Sequence, residues 1–196
     1  MSATSTAATV IADAAIAAHT RRWIERFVVD LNLCPFAAPV LRAQQLDIVV
    51  CALTAVPEMA MAVLDELDRL QRTQESELAT SVLVFSRALG DFEAYLDFLA
   101  LAEELLEESG LDGIVQIASF HPHYQFDGAP LHDVANFTNR SPYPMLHFIR
   151  EAAVSRALEH YPSPDQIPSR NIARLHSMGR EVVDELLARI EKEASA

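Results

Sequence analysis

The densest group of chemically capable side chains in the sequence is Phe120-His121-Pro122-His123-Tyr124-Gln125-Phe126-Asp127-Gly128. Alternate side chains share a face of an extended backbone, so His121 and His123 point the same way, and Pro122 stiffens that form. Two imidazoles on one face can bind a divalent metal or divide the acid and base halves of a proton transfer. A metal needs further ligands. Asp133, His132, His147 and Cys34 qualify by type, and no spacing singles one out. The alternative is that the imidazoles simply hydrogen-bond loop carbonyls. Tyr124 or Asp133 would orient whichever imidazole moves a proton.

A second group follows at Asn136-Phe137-Thr138-Asn139-Arg140-Ser141-Pro142-Tyr143-Pro144. Ser141 before Pro142 predicts a helix start, because the hydroxyl caps free N–H groups and proline loses nothing in a first turn. Such a terminus attracts anions, and Arg140 beside it adds a planar bidentate donor. Ile167-Pro168-Ser169-Arg170-Asn171 repeats the arrangement around Arg170. Converging on one sheet edge, Arg140, Ser141 and Arg170 would hold a carboxylate or phosphate. Asn136 and Asn139 would bond its oxygens, and His121 or His123 would transfer the proton. The simpler reading of the same arginines is capping and pairing with acidic helices. The expected activity is proton-transfer or hydrolytic chemistry on a small anionic metabolite. A His-x-His metal-dependent hydrolase and a non-catalytic ligand-binding or interaction protein are the alternatives.

No Gly-x-Gly-x-x-Gly, Walker loop, Gly-x-Ser-x-Gly or Cys-x-x-Cys occurs, and there are only five glycines, so no nucleotide site is expected. A divalent metal on His121 and His123 is the one cofactor the residue types suggest. Cys34 follows a predicted helix C-terminus, where the dipole raises a thiol pKa, and is expected to be structural. Cys51 falls inside a predicted strand.

The chain that must position these groups has 196 residues, 51% of them apolar, with 28 acidic and 15 basic side chains and a formal charge of −13. That length fits a single globular domain, 1–196, with 1–6 frayed and 121–141 as a functional loop. The charge argues against a nucleic-acid partner and against docking on an anionic membrane. It is unevenly placed: residues 119–179 hold five arginines and five acids, so the whole excess lies outside them. The same segment has six of the seven histidines and seven of the ten prolines, which marks it as compositionally distinct. Two cysteines make no disulfide framework, and the Ala-rich N-terminus lacks a basic signal-peptide region. A cytoplasmic location follows as the expectation. Oligomeric state is not legible.

Hydrophobic periodicity predicts a helix from about Ala7 to Leu31, with Trp23, Phe27 and Leu31 inward, ended by Asn32-Leu33-Cys34-Pro35. Leu46–Leu53, Ser81–Phe85 and Gly113–Phe120 read as strands. Between them lie a helix from Pro57 to about Gln74, with Met61, Leu64, Leu67 and Leu70 inward, and one capped by Asp91. Two C-terminal helices are expected, at about Pro142–His160 and from Pro168 onward. The predicted fold is α/β: about three strands in βαβαβ order, mainly parallel or mixed, with an N-terminal helix and two C-terminal ones. In such sheets ligands bind beyond the carboxyl ends of the strands, where the His-rich segment begins.

Four stretches carry a family resemblance: Asn-Leu-Cys-Pro-Phe at 32–36, Phe-His-Pro-His-Tyr-Gln-Phe at 120–126, Thr-Asn-Arg-Ser-Pro-Tyr-Pro at 138–144 and Ile-Pro-Ser-Arg-Asn-Ile at 167–172. Together they resemble an uncharacterised bacterial family, domain of unknown function 1415, from about Arg21 onward. The resemblance implies no reaction, cofactor or partner.

Overall fold

The computed structural model describes residues 3–159 and 161–194, and side chains from residue 12 onward. Helix α1 (Ala3–Trp23) continues into a π-helical segment, Ile24–Val29, and the chain turns at Asn32, whose φ of 51° suits asparagine. A short helix α2 (Ala37–Arg42) leads to β1 (Leu46–Cys51). Then come α3 (Val56–Arg72), β2 (Thr80–Phe85), α4 (Phe92–Glu108) and β3 (Val115–Phe120). Of the segment expected to fray, residues 1 and 2 lie outside the described residues, and α1 begins at Ala3.

The sheet is mixed, as expected, but has four strands in the order β1-β2-β4-β3. The fourth, β4 (Met145–Arg150), lies antiparallel between β2 and β3, where a helix from Pro142 was predicted. The physical reason is burial. A central strand covered on both faces reads as a continuous apolar run, Met145-Leu146-His147-Phe148-Ile149, without the alternation that marks a half-exposed strand. Pro144 precedes the strand and removes no ladder bond from within it. The predicted helix shrinks to α5 (Glu151–Leu158), and His160, its expected end, lies outside the described residues. The final helix is two, α6 (Ile167–Met178) and α7 (Arg180–Ala194). Gly179 divides them at φ 79° and ψ 157°, a conformation open only to glycine.

Each face of the sheet has its own core. Val82, Val84, Met145 and Ile149 pack against Trp23, Phe27, Leu175, Val183 and Ile190 from α1, its π-helical extension, α6 and α7. Leu83, Phe85, Leu146 and Phe148 pack against α3 and α4 through Met59, Val63, Leu67, Tyr95 and Phe98. The inward stripe of α3 is Met59, Val63, Leu67 and Leu70, and Met61, expected inside, is 56% exposed. Asp91 caps α4 as predicted, its Oδ1 accepting the Ala94 N–H at 2.9 Å.

Candidate functional site

At the carboxyl end of β3 the chain enters a long connection, 121–144, that returns as β4. Long uncovered backbone must be satisfied somehow, and here two asparagines do it. Asn136, fully buried at the tip of a 3-10 turn (Val134–Thr138), accepts the Phe126 N–H at 3.0 Å and donates to the Pro130 carbonyl at 2.9 Å. Asn139 donates to the Ser119 carbonyl at 3.0 Å, and its own carbonyl accepts the His121 N–H at 3.1 Å. Asp133 caps the 3-10 turn through the Ala135 N–H and meets His176 of α6 at 3.2 Å.

His121 is part of the same scaffold. Its Nδ1 accepts the His123 backbone N–H at 3.0 Å, so Nε2 carries the proton and donates it to the Leu89 carbonyl at 2.9 Å. The ring is fully buried against Phe92 and Tyr95, and burial lowers its proton affinity. Both nitrogens are occupied by backbone, which leaves neither a lone pair for a metal nor a site for a substrate proton. Among the described residues no three His, Cys, Asp or Glu side chains are grouped as ligands. Among the described residues the His-x-His pair therefore meets no third ligand of the kind a metal centre needs.

The loop, α1 and α7 together enclose an open cleft of about 640 Å³. The loop contributes His123, Phe137, Arg140 and Tyr143, and α1 contributes His19 and Trp23. From α7 come Arg180, Asp184 and Glu191, with Leu187 and Ala188 between them. Arg140 is fixed by its own loop: Nε donates to the Tyr124 carbonyl and Nη2 to the Leu131 carbonyl, each at 2.9 Å. Its guanidinium carbon lies 4.9 Å from the centre of the Phe137 ring, and that of Arg180 lies 5.1 Å from the same centre. Arg180 donates to Asp184 at 2.8 Å. Among the described residues Arg140 has no carboxylate within ion-pair distance, although it stays charged at any physiological pH. Burial, then the Arg180 charge, lower its proton affinity, and Asp184 opposes them.

On the α1 side of the cleft, His19 Nδ1 stands 3.1 Å from the Tyr143 hydroxyl, ring edge to ring face. Burial pulls the His19 imidazole below its ordinary pKa and pushes the Tyr143 phenol up, and Glu191 favours the protonated form of both. A neutral imidazole bonded to a phenol is a proton donor–acceptor pair.

Of the residues singled out by spacing, His123, Arg140 and Ser141 line the cleft. His121, Asn136 and Asn139 lie beneath it as loop scaffold. Tyr124 lines a separate groove with Phe92 and Phe126. Arg170 donates to the Tyr161 hydroxyl at 2.6 Å and is absent from the cleft wall. The helix start assigned to Ser141 is overturned: its hydroxyl donates to the Tyr143 carbonyl at 2.7 Å in a turn entering β4, so no helix dipole faces an anion there. Cys34 stands before α2, and burial raises its thiol against the opposing Phe36 and Ala37 N–H groups. His19, Arg180, Asp184 and Glu191 carry no motif: they sit singly in helices α1 and α7, at opposite ends of the chain, and meet the loop only through packing. Only the Gly179-Arg180 break hinted at a helix start there.

No curated protein and no solved structure matches the chain. No helix among the described residues is long and apolar enough to cross a membrane. A family model described as "Protein of unknown function (DUF1415)" matches residues 15–185, a span holding the loop, Arg140, Arg180 and the His19–Tyr143 pair, and the chain belongs to that family.

Proposed function

We propose that this protein is a small-molecule enzyme that binds a carboxylate or phosphate group in the cleft and moves a proton on the bound molecule. The observation that carries the reading is Arg140, a guanidinium fixed by two carbonyls in the cleft wall with no carboxylate of its own. Arg180, across the Phe137 contacts, is already paired with Asp184 on the same wall, so Arg140 is the cation left for an anion to meet. A fixed fork loses little entropy on binding, which suits it to a planar carboxylate or to phosphate oxygens. The proton-transfer role passes from His121, whose nitrogens are occupied, to the His19–Tyr143 pair in the same cleft. His123 supplies a further imidazole on the wall.

Thermal denaturation with inorganic phosphate and with mono- and dicarboxylates tests the binding step. An anion at about one hundred times its dissociation constant adds roughly 2.7 kcal/mol of stability. The response should vanish in Arg140→Ala. If no anion raises the melting temperature, or if Arg140→Ala responds like the parent, the reading fails.

A further inference from the structure

Apart from the cleft, the loop shapes a second groove, of about 440 Å³, against the start of α4. Three aromatic rings line it: Phe92 from α4, and Tyr124 and Phe126 from the loop. The Phe92 and Tyr124 ring centres lie 5.3 Å apart with their planes inclined at 57°, and those of Tyr124 and Phe126 lie 5.0 Å apart at 60°. All three residues are half-buried, so each keeps part of its surface open. The backbone that carries the two loop rings is fixed. Tyr124 N–H donates to the His121 carbonyl at 3.1 Å, and the Tyr124 carbonyl accepts Arg140 Nε at 2.9 Å. Phe126 N–H donates to Asn136 Oδ1 at 3.0 Å, and its carbonyl accepts the Ala129 N–H at 3.0 Å across a turn in which Gly128 has φ 70°. Asp127, which is exposed, supplies the only charge among the lining residues. Among the described residues it has no cation within ion-pair distance.

The face of an aromatic ring is the negative side of its quadrupole and attracts a cation within about 6 Å of the ring centre. Neighbouring rings inclined at nearly 60° can turn their faces toward one point, and a carboxylate on the same wall adds to the attraction. Acceptors for N–H groups are few. Beyond Asp127 the lining side chains that offer one are Gln125 and the Tyr124 hydroxyl, and that hydroxyl lies 3.3 Å from Ser119 Oγ. A primary ammonium brings three N–H groups that must be satisfied on leaving water, whereas a quaternary ammonium brings none. We propose that this groove binds a trimethylammonium group against the faces of Phe92, Tyr124 and Phe126, with Asp127 as its counter-ion. The site is separate from the anion cleft and does not depend on the reading of it. Choline carries this group as a free molecule, and trimethyl-lysine carries it on a protein.

Titration calorimetry of the full chain at constant ionic strength tests it. Choline is compared with ethanolamine, its primary-amine counterpart, and with 3,3-dimethylbutanol, its uncharged carbon isostere. We expect choline to bind about tenfold more tightly than either. Phe126→Leu keeps the wall apolar but removes a ring face, and should weaken choline binding about fivefold. Asp127→Asn removes the charge at an exposed position away from both cores, and should weaken it about threefold with no change in melting temperature. A short peptide with one trimethyl-lysine identifies the source. Tighter binding than choline assigns the group to a modified protein, weaker binding assigns it to a free molecule, and either result supports the site. The isostere or ethanolamine binding as tightly as choline overturns the proposal. So does choline affinity that survives both substitutions, or the absence of binding by both choline and the peptide.

Discussion

Thr80 Oγ1 and His147 Nε2 stand 2.6 Å apart across the middle of the sheet. The single Thr80 hydroxyl proton goes to the Phe148 carbonyl, also at 2.6 Å, so Nε2 of His147 must be the donor. Burial favours the neutral imidazole, whose ring borders an interior apolar cavity of about 40 Å³ shared with Cys34 and Trp23. Burial brings its pKa down to about 4 from an ordinary 6.5. Because the folded value is depressed, the unfolded chain takes up the proton first. Stability is complete above about pH 6.5 and falls as the pH drops toward 4, by about 3 kcal/mol for this group alone. His19 and His121 are displaced in the same direction and add to the slope. Urea denaturation at pH 7 and pH 4 should show a smaller loss in His147→Gln, which retains an N–H donor for Thr80. Parallel losses in both proteins would refute the assignment.

The two histidines of the 121–123 motif should separate cleanly under mutation. His121 is buried with both nitrogens bonded to backbone, so His121→Ala strands the Leu89 carbonyl and the His123 N–H and opens a cavity beside Tyr95. A loss of about 3 kcal/mol is expected. His123→Ala should cost less than about 1 kcal/mol, since its ring lies on the open cleft wall. Calorimetry should show the reverse order for anion binding after correction for folding. Equal destabilisation by the two substitutions would contradict the geometry.

How much of this was legible depended on whether a feature is local. Asp91 and Pro57 act within one turn, and their sequence signals sufficed. Trp23, Phe27 and Leu31 showed a core face by spacing alone. β4 was illegible because burial on both faces erases the strand period, and the error carried with it the supposed anion site at Ser141. The cleft was half legible. Arg140 stood out in a segment of unusual composition, whereas His19 and Arg180 reach it only through packing of α1 on α7 and of the loop on α6. The composition of 119–179 identified a loop held by His121, Asn136 and Asn139, and much of its polar content proved to be scaffold.

Arg150 illustrates the same distinction and gives a third test. Its guanidinium donates to three carbonyls: Leu70, Thr73 at 2.7 Å and Leu78 at 3.2 Å. Two of these close the C-terminus of α3, where a cation also meets the negative end of the helix dipole. Arg150→Ala should cost about 2–4 kcal/mol in urea denaturation, because charged hydrogen bonds to half-buried carbonyls are lost together. Phosphate affinity should be unchanged. A stable Arg150→Ala protein with weakened anion binding would place this residue in function instead.

Asn136 and Arg140 are joined twice, and the joint makes a prediction about action at a distance. The Asn136 carbonyl accepts the Arg140 backbone N–H at 3.1 Å. The Asn136 side chain also shares the Leu131 carbonyl with the Arg140 guanidinium, at 3.4 and 2.9 Å respectively. Asn136 itself is buried and does not border the cleft. Replacing it by alanine removes the amide that ties Phe126, Pro130 and Leu131 together, so the carbonyls aiming Arg140 lose their fixed positions. Amide hydrogen exchange across 126–140 should then accelerate about tenfold or more, equivalent to at least about 1.4 kcal/mol of local stability. Phosphate binding should weaken by a similar factor without any lost contact to the ion. The two effects must also be coupled. In an Arg140→Ala background, Asn136→Ala should accelerate exchange as before but cause no further loss of anion affinity, giving a coupling energy near the whole binding effect. Additive losses in affinity would mean that Asn136 does not act through Arg140.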